Sequence, residues 1–91
     1  LKAENDKAWV GLALVHRQMG DPDLAWANLE RALDLAPTNR TALRLSIQWG
    51  VEDRSFSVAV RRLREHLAIE GADAEMSFAL AKILASEGRV S

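Results

Sequence analysis

The chain has 91 residues, a formal net charge of −1, 48% hydrophobic residues and neither cysteine nor tyrosine. This length accommodates one domain at most, and the absence of cysteine excludes disulfides. The balanced charge argues against a nucleic-acid partner, which usually requires a basic face, and the longest apolar run, residues 9–15, is too short for membrane insertion.

Two apolar stripes predict a pair of helices over about residues 6–19 and 22–36. Within each stripe the residues are three or four positions apart, a spacing that places their side chains on one helix face. Small residues in both stripes allow the two helix axes to approach closely. The stripes are Trp9, Leu12, Ala13 and His16 in the first helix, and Ala25, Leu29, Ala32 and Leu33 in the second.

The residues between and after these stripes are typical of helix ends. Gly20 can adopt the left-handed conformation that ends a helix, and Asp21 can cap the next one. Pro22 suits a first helical turn because its missing N–H would have no partner there. Pro37 disfavours helical geometry at Ala36 and so closes the second helix. We therefore expect an antiparallel helix pair.

Three further helices are predicted along the rest of the chain. The third begins near Arg40, the fourth runs from about Ser55 to Glu70, and the fifth covers about residues 74–87. Gly71 ends the fourth helix and Asp73 caps the fifth.

A period of 34 residues relates the second half of the chain to the first. The second unit departs from the first at Trp49-Gly50, where we expect the tryptophan to fill space that the glycine leaves. Arg54 also stands where the first unit has Gly20. The matching pairs are Trp9 and Leu43, Ala25 and Ala59, Leu29 and Leu63, Leu33 and Leu67, and Pro37 and Gly71.

The stripes, the turn and the period together resemble the tetratricopeptide repeat family. The resemblance implies an all-α fold, a right-handed α-solenoid of about five helices stacked as antiparallel pairs. Residues 1–91 would form a single domain with units at about 6–39, 40–73 and an incomplete 74–91. Because the chain begins at Leu1, we expect it to be a fragment of a longer protein, with residues 1–4 as a frayed lead-in.

No catalytic, cofactor or metal site is indicated by the residue pattern. His16 and His66 are 50 residues apart without cysteine or a paired ligand spacing, so we interpret both as core residues. The basic run Arg61, Arg62 and Arg64 is interrupted by Glu65, and a solvated helix face is the preferred interpretation over an anion site. We predict that the chain is not an enzyme and needs no cofactor.

The resemblance implies a concave groove that binds an extended peptide or a partner helix. Apolar side chains at Val10, Leu14 and Phe78 would be exposed there without a ligand, unless flanking segments cover them. The alternative is a structural or substrate-targeting segment of a larger enzyme, such as a glycosyltransferase or a protein-modifying enzyme. The groove residues expected from the resemblance are Lys7, Val10, Leu14, Arg17, Arg44, Gln48, Phe78 and Lys82.

Three expectations concern partners and location. One subtype of the family binds the C-terminal carboxylate of its ligand through cationic and amide side chains. We do not expect such binding here, because residues such as Leu45 and Ala79 occupy the matching positions. The last helix lacks a predicted neighbour, so a homodimer through the C-terminal end is possible, with Leu80, Ile83, Leu84 and Val90 left uncovered. The sequence does not specify a compartment, and the cytoplasm is the default expectation.

Overall fold

The computed structural model describes residues 5–90, with side chains through Glu87. Within that range the fold is all-α, as predicted, and it contains no strand. The expectations for residues 1–4 and for the side chain of Val90 lie outside the described residues. The five helices are α1 (Asp6–Gln18), α2 (Pro22–Leu35), α3 (Arg40–Asp53), α4 (Phe56–Glu70) and α5 (Ala74–Val90).

The helices belong to two compact units, and the boundary falls inside α3. Unit 1 ends at Ala42 and unit 2 begins at Leu43. The single domain expected from the sequence stays a prediction. Among the described helices, none has the length and apolarity that crossing a bilayer requires.

In unit 1, α1 packs against α2 through the stripes that the sequence predicts. Ala13 has no exposed surface, so its small side chain permits the close approach of the two helices. Both N-termini are capped: Asn5 accepts a hydrogen bond from the Ala8 N–H, and Asp21 accepts one from the Leu24 N–H. The fully buried residues of α2 are Ala25, Leu29, Ala32 and Leu33.

The turn between α1 and α2 depends on Gly20. Its φ of 79° lies in the left-handed region, which glycine adopts at no steric cost. The Gly20 N–H donates to the Arg17 carbonyl at 3.1 Å, and the Asp21 N–H donates to the His16 carbonyl at 2.9 Å. These bonds satisfy carbonyl groups at the end of α1 that have no partner within the helix.

The turn between α3 and α4 repeats this arrangement without a glycine. Arg54 adopts a φ of 56°, the only positive value among the described non-glycine residues. Its N–H donates to the Val51 carbonyl at 3.4 Å, and the Ser55 N–H donates to the Gly50 carbonyl at 2.8 Å. All four positions lie 34 residues after their counterparts around Gly20. The period found in the sequence is therefore also a period of backbone hydrogen bonds.

The end of α3 passes close to the start of α4 at Gly50. A Cβ atom at this position would lie 3.3 Å from both the Ala59 Cβ and the Ser55 carbonyl oxygen. A glycine inside this helix is therefore explained by the close approach of two chain segments. Trp49 is 2% exposed, so it contributes to the core as expected.

The rest of the unit 2 core lies between α4 and α5. Ala59 and Leu63 of α4 are fully buried, and so is Met76 of α5. Ile83 is only 2% exposed, so the expectation that this side chain lacks a cover is wrong. Leu84 is 39% exposed, in agreement with that expectation.

Arg62 corrects a second expectation about unit 2. Arg61 and Arg64 are exposed as predicted, but Arg62 is 6% exposed and does not belong to a solvated face. Its Nη1 donates to Glu65 Oε1 at 3.0 Å. Leu63 and His66, one and four residues further along α4, share this side of the helix, so helix geometry places Arg62 on its buried face. The ion pair with Glu65 compensates the buried charge of Arg62.

Candidate functional site

Unit 2 contains a cleft of about 540 Å³ between α3 and α5. Its walls come from successive turns of the two helices, because lining residues on each helix recur at intervals of three or four. Three of the predicted groove residues, Arg44, Phe78 and Lys82, line this one cleft. The full lining is Arg44, Ile47, Val51, Glu75, Phe78, Ala79, Lys82, Ile83 and Ser86.

One part of the cleft lining is apolar and open to solvent. Phe78 is 67% exposed and Val51 is 51% exposed, while Ile83, which also lines the cleft, is buried. Large apolar side chains exposed together in a concave surface are typical of a binding site for another apolar group. This part of the cleft can therefore receive an apolar side chain.

One end of the cleft is formed by an ion pair between α3 and α5. Arg44 donates through Nε and Nη2 to the two carboxylate oxygens of Glu75, at 2.9 and 3.0 Å. The hydrogen bond with Glu75, together with its negative charge, raises the pKa of Arg44 above its ordinary value. The guanidinium is thus permanently charged, and two of its N–H donors are occupied by a carboxylate of the same unit.

Lys82 lies one helical turn after Phe78 on α5. Its Nζ is 5.7 Å from the centroid of the Phe78 ring, within the range of a cation–π contact. Among the described residues, no carboxylate lies within ion-pair distance of Nζ. The ammonium group is therefore the uncompensated charge at the apolar part of the cleft.

Gln48 does not line the cleft, although the resemblance implies a groove position for it. Its Nε2 donates to Glu52 Oε2 at 3.3 Å on the exposed side of α3. Ile47 and Val51 line the cleft instead. Packing explains the difference, because the middle of α3 is buried along Ser46, Trp49 and Gly50. In α1 the counterpart of Trp49 is Val15, which is 49% exposed, so the buried face of α3 is shifted relative to that of α1.

The other four predicted groove residues lie on α1 in unit 1. Val10 is 6% exposed, so the expectation that it is an exposed apolar group is wrong. The connection after α2 lies over this part of α1: Asn39 Nδ2 donates to Asp6 Oδ2 at 2.6 Å, and Lys7 and Val10 line a concavity of about 460 Å³ with that connection.

Leu14 and Arg17 complete the predicted set in unit 1. Leu14 is 41% exposed, in agreement with the expectation. Arg17 is partly exposed and takes part in an interaction within the described chain. Leu14 is therefore the apolar member of the unit 1 set that solvent reaches.

Both histidines have a buried Nδ1 atom. His66 Nε2 is paired with Asp73, and Nδ1 of both His16 and His66 is buried without a hydrogen-bond partner among the described residues. No group of three histidine, aspartate or glutamate side chains in the described residues could hold a metal ion. The observed geometry of His66 is that of a core residue tied to a neighbouring helix.

A family model described as tetratricopeptide repeat matches residues 6–49, which include α1, α2 and most of α3. No curated protein matches the chain. Repeats of this family generally mediate protein–protein interactions and are typically non-catalytic. The segment from residue 6 to residue 49 is a tetratricopeptide repeat, as its stripes, turn and spacing predict.

Proposed function

We propose that this protein is an interaction module whose unit 2 cleft binds an extended peptide or a helix of a protein partner. The observation that carries the proposal is the exposure of Phe78, 67% open to solvent in a concave apolar surface. The family generally mediates protein–protein interactions, which favours a protein ligand over a small molecule.

Phe78 is proposed as the anchor of the interaction. An aromatic ring buried at the centre of an interface contributes more binding energy than charged residues at the rim. Val51 and Ile83 border the same space, so a ligand side chain would contact apolar groups from both helices. The proposed ligand therefore presents at least one large apolar side chain to the cleft.

The role of the other predicted groove residues follows from their surroundings. Leu14 is a separate apolar contact candidate in unit 1, whereas Val10 is buried and is not proposed to contact a ligand. Arg17 and Lys7 are proposed to act at most as polar contacts near Leu14. Gln48 faces away from the cleft lining and is likewise not proposed as an anchor.

The proposal is tested by selecting ligands from a displayed library of random peptides on the immobilised protein. Selected peptides should bind Phe78→Ala at least about 30-fold more weakly than the original protein, which corresponds to about 2 kcal/mol. The matched control is Ile69→Ala, because Ile69 is 58% exposed in the same unit and does not line the cleft. Equal losses for both variants, or no selectable peptide, would contradict the proposal.

The alternative function, a structural or substrate-targeting segment of a larger enzyme, stays a prediction. It differs from the first in the origin of the ligand. If the cleft served a catalytic domain of the same protein, the selected peptides would resemble segments of that polypeptide. Comparison of selected peptides with the complete polypeptide therefore distinguishes the two.

A further inference from the structure

We propose that the cleft selects ligands that carry an acidic residue next to the apolar anchor, and that Lys82 rather than Arg44 recognises it. This inference rests on the proposed function of the cleft. It names the chemical class of the ligand: a peptide or helix that joins a large apolar side chain to a carboxylate. Both cations line the cleft, and their surroundings decide between them.

Arg44 is poorly suited to recognise a ligand carboxylate, because two of its guanidinium donors already bind Glu75. Glu75 accepts from both Nε and Nη2, at 2.9 and 3.0 Å. A carboxylate of the ligand would have to displace Glu75, which exchanges one carboxylate for another and gains no net charge attraction. The side chains of the pair are 58% and 48% exposed, so the surrounding water already screens both charges.

Lys82 differs from Arg44 in having no acidic partner among the described residues. Its ammonium group has three donors, and its Nζ lies 5.7 Å from the centroid of the Phe78 ring. With the Arg44–Glu75 pair neutralised internally, the charge that the cleft offers to a ligand is the single positive charge of Lys82.

Binding of a ligand at Phe78 would increase the influence of the Lys82 charge on affinity. A ligand side chain that covers the ring removes water from the neighbouring ammonium, which disfavours the charged form unless a new partner replaces that water. A ligand carboxylate supplies this partner, whereas a ligand lysine or arginine would add repulsion in a partly desolvated place. Attraction of acidic ligands and repulsion of basic ligands by Lys82 would then together determine specificity.

The test uses displayed random peptides and the whole chain. Selection on the original protein should enrich aspartate or glutamate adjacent to the apolar residue, and selection on Lys82→Glu should enrich lysine or arginine there. Replacing the acidic residue of a selected synthetic peptide by its amide should weaken binding about three- to fivefold at low salt, measured by fluorescence anisotropy. Lys82→Met should abolish this difference, whereas the double variant Arg44→Met/Glu75→Gln, which removes both charges of the ion pair, should retain it.

The possible results separate this inference from the function on which it rests. Peptides that require Phe78 but show no acidic preference would overturn the inference and leave the proposed function intact. An acidic preference that persists in Lys82→Met, or one that disappears in Arg44→Met/Glu75→Gln, would also overturn it. Peptides that bind equally to Phe78→Ala would contradict the proposed function itself. Circular dichroism of each variant, compared with the original protein, verifies that the helices are retained.

Discussion

His66 of α4 and Asp73, the residue before α5, form a buried pair in unit 2. His66 Nε2 donates to Asp73 Oδ2 at 2.7 Å, and the two side chains are only 2% and 6% exposed. The other carboxylate oxygen, Oδ1, accepts from the Met76 N–H at 3.2 Å. One aspartate therefore caps α5 and also joins α5 to the preceding helix.

We expect Asp73→Ala to destabilise the protein more than the removal of an ordinary helix cap. The variant loses a cap, worth about 1 kcal/mol, and leaves the His66 N–H buried without a partner, which costs about 1–3 kcal/mol more. The matched control is Asp21→Ala, because Asp21 caps α2 through an exposed hydrogen bond, in which its Oδ1 accepts from the Leu24 N–H at 3.2 Å. Urea denaturation measures both free energies of unfolding.

A double variant separates the two roles of Asp73. His66→Leu combined with Asp73→Ala removes the orphaned donor, and so it should be more stable than Asp73→Ala alone. Equal losses in Asp73→Ala and Asp21→Ala, with no recovery in the double variant, would contradict a structural role for the pair.

Arg54→Gly is expected to raise the stability of the protein. A left-handed conformation costs a residue with a Cβ atom about 1–2 kcal/mol, and Arg54 has a φ of 56°. Part of the gain, about 0.4–1 kcal/mol, is lost because glycine makes the unfolded chain more flexible. We therefore expect a net gain of about 0.5–1 kcal/mol. Arg54→Ala, which keeps the Cβ atom, should give no such gain in the same urea titration.

The local signals in the sequence were sufficient to predict the helices and their ends. Gly20, Asp21 and Pro37 determine backbone conformation within a few residues, so their effects follow from the residue type alone. The conformation of Arg54 was less evident, because arginine is not a residue that indicates a left-handed turn. Its position 34 residues after Gly20 was the available signal.

The candidate site was predicted only in part, because it depends on how helices face one another. Phe78 and Lys82 are one turn apart on α5, and this follows from helix geometry. The pairing of Arg44 with Glu75 joins residues 31 positions apart, which no local spacing specifies. The shifted buried face of α3 likewise depends on packing, and it places Ile47 and Val51 rather than Gln48 in the cleft.

Asn39→Asp is expected to destabilise unit 1 although aspartate is also a good helix cap. Asn39 Oδ1 accepts from the Ala42 N–H at 3.0 Å, and Nδ2 donates to Asp6 Oδ2 at 2.6 Å. The substitution preserves the cap but replaces the donor by a second carboxylate facing Asp6. Loss of the hydrogen bond and like-charge repulsion should together cost about 1–2 kcal/mol.

Asp6→Asn tests whether this contact is the cause. In the Asn39→Asp background it restores a donor opposite the new carboxylate, so the double variant should recover most of the lost stability in thermal or urea unfolding. Additive losses from the two single substitutions would show that the side chains do not interact.

Gly11 and Gly50 both lie inside helices, but they differ in the space around them. Gly11 lies in α1, and a Cβ atom there would have no neighbour within 4 Å. Gly11→Ala should therefore gain about 1 kcal/mol, the difference in helix propensity between alanine and glycine.

Gly50→Ala gains the same helix propensity, but it places a Cβ atom 3.3 Å from the Ala59 Cβ and from the Ser55 carbonyl oxygen. These neighbours include backbone at the start of α4, which cannot move aside without disturbing the turn at Arg54. We expect Gly50→Ala to be clearly less favourable than Gly11→Ala, and Gly50→Tyr to lose about 1–3 kcal/mol through overpacking. Urea denaturation of the three variants measures these differences, and equal gains for the two alanine variants would show that α3 and α4 do not require the glycine.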